Sequence, residues 1–293
     1  MEHFTGLILE GGGMRGAYTA GCLTWLLDQN IQFDAHYGIS TGAVNLCAYL
    51  MGSKDHLFNF FTDYILDPKG IGIRPLLREG VFVSYDYLFE EHMVKNGFRM
   101  EDLKDYKGNA KIGIYGLSQG KTDFYSVTKM NIEMLKAACS LPILGKPVVL
   151  DGKKYLDGGI TKMLAIEEAL HDGVNRSLII ATKPLDYVRK PANWFVKWLM
   201  RVLFRDSPQL GKDYAVRHLN YQKQVAIIKD LEKEGKALYL CPSQKTKVTR
   251  IHGSKEELVE LFRLGIQDME CRKEEIYQFL GVQKYRNLRE LPQ

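Results

Sequence analysis

Five cysteines in 293 residues, at Cys22, Cys47, Cys139, Cys241 and Cys271, are odd in number, scattered, and include no C-x-x-C pair. Neither a disulfide framework nor a zinc site is suggested. Cys22 and Cys47 fall on apolar helical faces and read as small core residues. No apolar run is long enough to span a bilayer, and Met1-Glu2-His3-Phe4-Thr5-Gly6 lacks the charged and apolar regions of a secretory signal. The expectation is a reducing, cytoplasmic location, peripheral to the inner face of a membrane at most. The charge excess is small: 40 Lys and Arg against 35 Asp and Glu leave +5. Without a zinc-finger, RNP or basic-helix pattern, nothing points to nucleic acid. Internal repeats, low-complexity segments and a Gly/Pro/Ser-rich linker are missing as well. No metal constellation and no cofactor is called for.

What the chain does have is an ordinary globular composition, 45% hydrophobic and 26% charged, with ample apolar material for a core. Its organising stretch lies at the start. Leu7-Ile8-Leu9 reads as a short buried strand, Gly11-Gly12-Gly13-Met14-Arg15-Gly16 as a turn, and Ala17, Cys22, Leu23, Leu26 and Leu27 as one face of a helix. Three consecutive glycines bare their N–H groups at the positive end of a helix, where an anion can be held. A second strand then ends at Tyr37-Gly38-Ile39, and Ser40 begins a second helix within Gly38-Ile39-Ser40-Thr41-Gly42. A serine between glycines on a sharp strand-to-helix turn is the pattern of a nucleophile elbow. An anion cradle and an exposed serine on adjacent strands are what acyl transfer needs.

Gly11, Gly13 and Gly16 also satisfy a dinucleotide fingerprint, with Asp34 near the place of its ribose-binding acid. Asp34, however, opens the second strand, at the wrong end of the sheet for a ribose. Ser40 needs a base. His171, His218 and His252 are candidates in the order of an α/β-hydrolase, but none sits in a catalytic-looking loop. The alternative is Asp157, which follows an apolar strand and is flanked by Gly158 and Gly159, where the backbone can turn sharply. A carboxylate held there by N–H groups stays ionised and can take the Ser40 proton.

Further on, helices are expected over the Leu57–Ile65 region and, capped by Ser84, over Tyr85 to Val94, with loop from Gly70 to Gly80 between them. Lys111–Gly116 and Phe124–Val127 read as a strand pair, Met130–Cys139 as a helix, and Val148–Leu156 as a hairpin turning at Asp151-Gly152. A helix through Leu164, Ile166 and Leu170 and a strand at Ser177–Thr182 complete an α/β layer structure. From Pro191 helices dominate, over Asn193–Phe204, Leu210–Gly235 and Lys255–Leu280, with one strand at Ala237–Cys241. The predicted division is a core at 1–185 and a mostly helical extension, 186–293, packed on it.

The glycine turn, Gly38–Gly42 and Asp157-Gly158-Gly159, in this order and spacing, resemble the three signatures of the patatin-like phospholipase family, and in particular its bacterial cytoplasmic subgroup. Ala138-Cys139-Ser140-Leu141-Pro142 resembles it too. The resemblance covers roughly residues 5 to 185. It implies a three-layer α/β/α fold with a mainly parallel sheet and a Ser40–Asp157 dyad without a histidine base. It further implies an oxyanion hole from Gly11, Gly12 and Gly13, with Arg15 supporting the loop, and hydrolysis of acyl esters of lipids through an acyl-enzyme. Asp-Gly-Gly replaces the more usual Asp-Gly-Ala. Two other functions stand beside this one: a non-catalytic lipid- or acyl-binding protein, and a dinucleotide-binding enzyme.

Lys197, Arg201 and Arg205 recur every fourth residue, with Trp194, Phe195, Trp198, Leu199, Val202 and Phe204 around them. On one helix they would make a basic stripe suited to an anionic membrane. The more ordinary reading is a helix across the active-site mouth with snorkelling cations. Oligomeric state, headgroup and acyl length are not legible.

Overall fold

The computed structural model describes residues 4–281; Met1 to His3 and the last part of the expected extension, 282–293, lie outside the described residues. In chain order the strands are β1 Thr5–Leu9, β2 Ala35–Ile39, β3 Asn109–Gly116, β4 Lys121–Ser126, β5 Val148–Leu150, β6 Lys153–Asp157, β7 Arg176–Ile180 and β8 Ala237–Leu240. The helices are α1 Gly16–Asp28, α2 Thr41–Leu50, α3 Lys54–Thr62, α4 Ile73–Glu79, α5 Ile132–Cys139, α6 Ile166–His171, α7 Trp194–Leu203, α8 Pro208–Lys233, α9 Lys255–Cys271 and α10 Lys273–Leu280.

All eight strands form a mixed sheet in the order β5-β6-β3-β2-β1-β7-β8, with β4 paired to β3. Its centre is parallel: β1 runs alongside β2 and β7, β2 alongside β3, and β7 alongside β8. The β3–β4, β3–β6 and β5–β6 pairs are antiparallel. Buried on both faces, the central strands are apolar runs rather than alternations. Leu7 and Leu9 of β1 join Leu178 and Ile180 in a core beneath α1, α2, α3, α5 and α9. Ile8 and Ile179 point the other way, with Tyr37 and Ile39, into a core under α6 and α8. This is the expected three-layer arrangement.

The C-terminal part of the chain is built into those layers. β8 extends the sheet, and α9 crosses α1 so closely that a Cβ on Gly21 would overlap the Phe262 carbonyl oxygen. The local signals for these elements are conventional. Asn131, Asn193 and Ser254 accept N–H bonds at the starts of α5, α7 and α9, Ser254 within a full capping box with Glu257. The β5–β6 turn has positive φ at Asp151 (47°) and Gly152 (73°), as a two-residue hairpin of this twist requires.

Three expectations need correction. The segment from Gly70 to Gly80 contains α4, whose exposed Ile73, Leu76 and Leu77 gave no amphipathic pattern to read. The single helix expected over Lys255–Leu280 is broken at Arg272, whose guanidinium turns back to the Tyr239 carbonyl and to Glu275. α7 stops at Leu203, so Arg205 is not on its stripe and lies instead beside Asp206.

Candidate active site

β1 delivers its last residue, Leu9, to Glu10 and the glycine turn. Gly13 has φ +61°, and a Cβ there would overlap the Arg250 carbonyl oxygen, so only glycine lets the turn close under that loop. Gly11 faces the next turn, where an added Cβ would lie 2.7 Å from the Cβ of Ser40. The Gly12 N–H donates to Thr41 Oγ1 at 3.1 Å and the Met14 N–H to the Arg250 carbonyl at 3.0 Å. Those of Gly11 and Gly13 find no acceptor among the described residues. Gly16 opens α1.

Ser40 sits between β2 and α2 with φ 57° and ψ −129°, a conformation rare outside glycine. Gly38 and Gly42 make this turn possible by contact: a Cβ on Gly38 would lie 2.8 Å from the Gly42 carbonyl oxygen, and one on Gly42 2.6 Å from that of Leu9. Asp157 ends β6, which places it beside β3 and across from Ser40. Ser40, Asp157, Gly11, Gly12, Gly13, Arg15 and Gly159 line one narrow cavity. Asp157 is buried; its Oδ1 accepts the Gly159 N–H at 2.7 Å, and Gly158 begins the short turn that carries this donor. Oδ2 is buried without a completed hydrogen bond. Burial pushes the Asp157 carboxyl above its ordinary range, against the opposing pull of the Ser40 hydroxyl, Arg217, the Gly159 N–H and Arg250.

The rejected candidates lie elsewhere. None of His171, His218 and His252 lines this cavity. His171 is exposed beside Asp172. Asp34 accepts from the Thr5 N–H and hydroxyl at 2.7 and 2.8 Å, at the opposite end of the sheet from Ser40, so it fastens β1 to β2. One group among the described residues, Glu168, His171 and Asp172, has metal-like spacing. Its two carboxylates are already held by Lys111, at 2.8 and 2.7 Å.

Sequence reasoning missed several residues of this cavity. Lys183, Arg189, Arg217 and Arg250 line it, from four places in the chain. Lys183 forms a buried ion pair with Glu10, whose carboxylate also accepts the Thr182 N–H and hydroxyl at 2.6 and 2.9 Å. Burial would raise Glu10, but Lys183 and Thr182 hold it below the usual range. Lys183 is itself pushed down to about 8, chiefly by burial, which overcomes the upward pull of Glu10; Arg15 and Arg189 add to the lowering. Arg217, on α8, donates from Nε to the Gly159 carbonyl, and burial beside Arg250 and Arg189 lowers it to about 9. On the other side of Ser40 lies a second, narrow compartment walled by Phe60, Ile65, Leu88, Phe89 and Leu141.

Comparison with known proteins gives this constellation its context. A family model, patatin-like phospholipase, matches residues 7–170. The chain belongs to the patatin-like phospholipase family. A second model, a domain of unknown function (DUF6363), matches residues 207–281. Among relatives of this family member, the Escherichia coli (strain K12) protein YjjU is 28% identical over 203 residues, which take in 66% of this chain and 56% of YjjU. The chain thus spans little more than half the length of that relative. The Probable lipid hydrolase 463L of Invertebrate iridescent virus 6 is 24% identical over 242 residues, covering 72% of this chain and 81% of the viral protein. In three dimensions the patatin-like chain resembles VipD from Legionella pneumophila, with a TM-score of 0.53 at 12% identity over 96% of this chain and 67% of that one. That likeness is one of fold.

Proposed function

We propose that the protein is a serine acyl hydrolase that cleaves carboxylic esters of lipids through Ser40 and Asp157. The observation that carries this reading is the shared cavity: a serine on a strained strand-to-helix turn, a buried carboxyl, and a turn of bare glycine N–H groups meet in one place. Asp157 accepts the Ser40 proton as the hydroxyl oxygen attacks the ester carbonyl. The alkoxide that leaves takes that proton, and the acyl group stays on Ser40. Water then attacks the acyl-enzyme with Asp157 again as base, and the carboxylic acid departs. The tetrahedral oxyanion of each step is met by the Gly11 and Gly13 N–H groups. Gly12, already committed to Thr41, orders the turn rather than adding a third free donor. One such donor is worth about 3–4 kcal/mol in comparable sites. The apolar compartment beside Ser40 has the lining an acyl chain needs.

In this reading residues 1–185 are the catalytic core, and the part of the chain after them adds Arg189, Arg217 and Arg250 to the cavity wall. The relative named as a lipid hydrolase supports the class of substrate. A fluorophosphonate probe and a panel of short and long acyl esters test the reading. Stoichiometric labelling at Ser40 together with ester cleavage is expected. An unlabelled Ser40 would leave a lipid-binding protein without catalysis.

α7 does not line either compartment next to Ser40. It buries Met200 and exposes Trp194 at 78%, Phe195 at 49% and Trp198 at 52%. Lys197 and Arg201 are exposed on the same helix. Aromatics this exposed beside cations suit the headgroup region of an anionic membrane, which is where a lipid hydrolase meets its substrate. Among the described residues no helix is long and apolar enough to cross a membrane. Trp194→Ser/Trp198→Ser is expected to lose most co-sedimentation with phosphatidylglycerol vesicles while keeping its melting temperature. Undiminished co-sedimentation would remove α7 from the membrane contact. The unpaired cysteines are in keeping with a reducing compartment.

A further inference from the structure

The cavity beside Ser40 carries more positive charge than its own acids neutralise. Of the cations lining it, Lys183 is taken by Glu10. Arg15, Arg189, Arg217 and Arg250 remain, and the other carboxylate in the cavity is Asp157. Arg217 is the telling member. It is 7% exposed, its guanidinium stacks over the Tyr214 ring at 5.4 Å, and its Nη1 is buried with no hydrogen-bond partner. The Nε of Arg15 is in the same condition. A buried guanidinium with an unused donor costs stability, and such an arrangement is expected where a ligand supplies the missing acceptor. Guanidinium forks match the oxygens of a phosphate two at a time.

The apolar compartment and the cationic cavity meet at Ser40: Gly13, Ser40, Leu141 and Arg250 line both. A substrate whose ester carbonyl lies on Ser40 therefore has its chain on one side and its alcohol portion among the arginines. We propose, resting on the acyl-hydrolase reading, that the site selects single-chain acyl esters whose alcohol portion ends in a phosphate monoester, held by Arg189, Arg217 and Arg250. A quaternary ammonium beyond the phosphate would enter the same cationic surroundings and is disfavoured. Two of the three arginines, Arg217 and Arg250, belong to the segment matched by the domain of unknown function, so headgroup choice is assigned to that segment.

The test compares three lauroyl esters: lysophosphatidate, lysophosphatidylcholine and monolauroylglycerol. The phosphate monoester is expected to be cleaved with kcat/KM about tenfold or more above each of the others, the yield of one or two charge-assisted hydrogen bonds. Arg189→Gln and Arg250→Gln, both on half-buried side chains, should each narrow that ratio several-fold. In parallel, the Ser40→Ala protein is titrated calorimetrically with glycerol phosphate and with inorganic phosphate. Binding of glycerol phosphate that weakens in both arginine variants supports the site. Equal cleavage of the three esters overturns the proposal, and does so even if inorganic phosphate binds, since the cluster would then hold a free anion rather than a headgroup. Cleavage of none of the esters overturns the hydrolase reading, and the titrations then decide the phosphate site by themselves.

Discussion

Ser40→Ala is expected to lower ester cleavage by about 10³-fold or more, and Asp157→Asn by a similar amount, because nucleophile and base act as one unit. Neither change should unfold the protein. Alanine keeps the Cβ that packs against Gly11, and asparagine keeps an oxygen for the Gly159 N–H. Asp157→Asn should in fact melt at a higher temperature at pH 7. Burial raises the folded-state pKa of Asp157. The favourable contribution of its protonated form is therefore complete below the ordinary carboxyl value of about 3.9 and is lost as pH rises through the folded value. At neutral pH the buried charge is a burden that asparagine removes, and the gain should shrink on acidification. Activity depends on the same group in the opposite sense: kcat/KM should fall on acidification through one ionisation above the usual aspartate range. Arg250→Gln should move that limb to higher pH, since Arg250 helps to keep Asp157 ionised. Full activity in either the Ser40 or the Asp157 variant would end the dyad mechanism.

The parts of the site that were legible in the sequence share one property: each is local. Gly11–Gly16 and Gly38–Gly42 are turns whose geometry demands glycine within a few residues, and the Asp151-Gly152 hairpin places Asp157 at a strand end. Lys183, Arg189, Arg217 and Arg250 left no such trace. Each is a charged residue in a segment that already contains several, and nothing in its neighbours tells that its head turns inward. Arg217 in particular lies on a helix of low overall hydropathy contrast, where a cation is expected to face water. α4 was invisible for the opposite reason, since its apolar residues are exposed. The crossing of α1 and α9 depends on Gly21 and Gly265, which are 244 positions apart and carry no periodic signal.

The Glu10–Lys183 pair predicts the second large effect, on stability. Lys183→Met would leave Glu10, fully buried, with the Thr182 N–H and hydroxyl as its remaining partners. Breaking a buried pair from one side costs about 3–5 kcal/mol, whereas replacing both members can be close to neutral. Urea unfolding should accordingly show a large loss for Lys183→Met and partial recovery in Glu10→Gln/Lys183→Met, in which the introduced side-chain amide oxygen can still accept from Thr182. The pair has a second consequence for the glycine turn. Thr182, its hydroxyl proton given to Glu10, keeps its hydroxyl oxygen 3.3 Å from the Gly11 carbonyl oxygen and packs where a Cβ on Gly12 would be. The double variant, though folded, should therefore cleave esters more slowly, through kcat rather than KM, because the oxyanion donors are less firmly placed. If Lys183→Met unfolds at the same urea concentration as the parent, Glu10 has taken up a proton or a water in compensation. The turn would then be held by Thr182 alone.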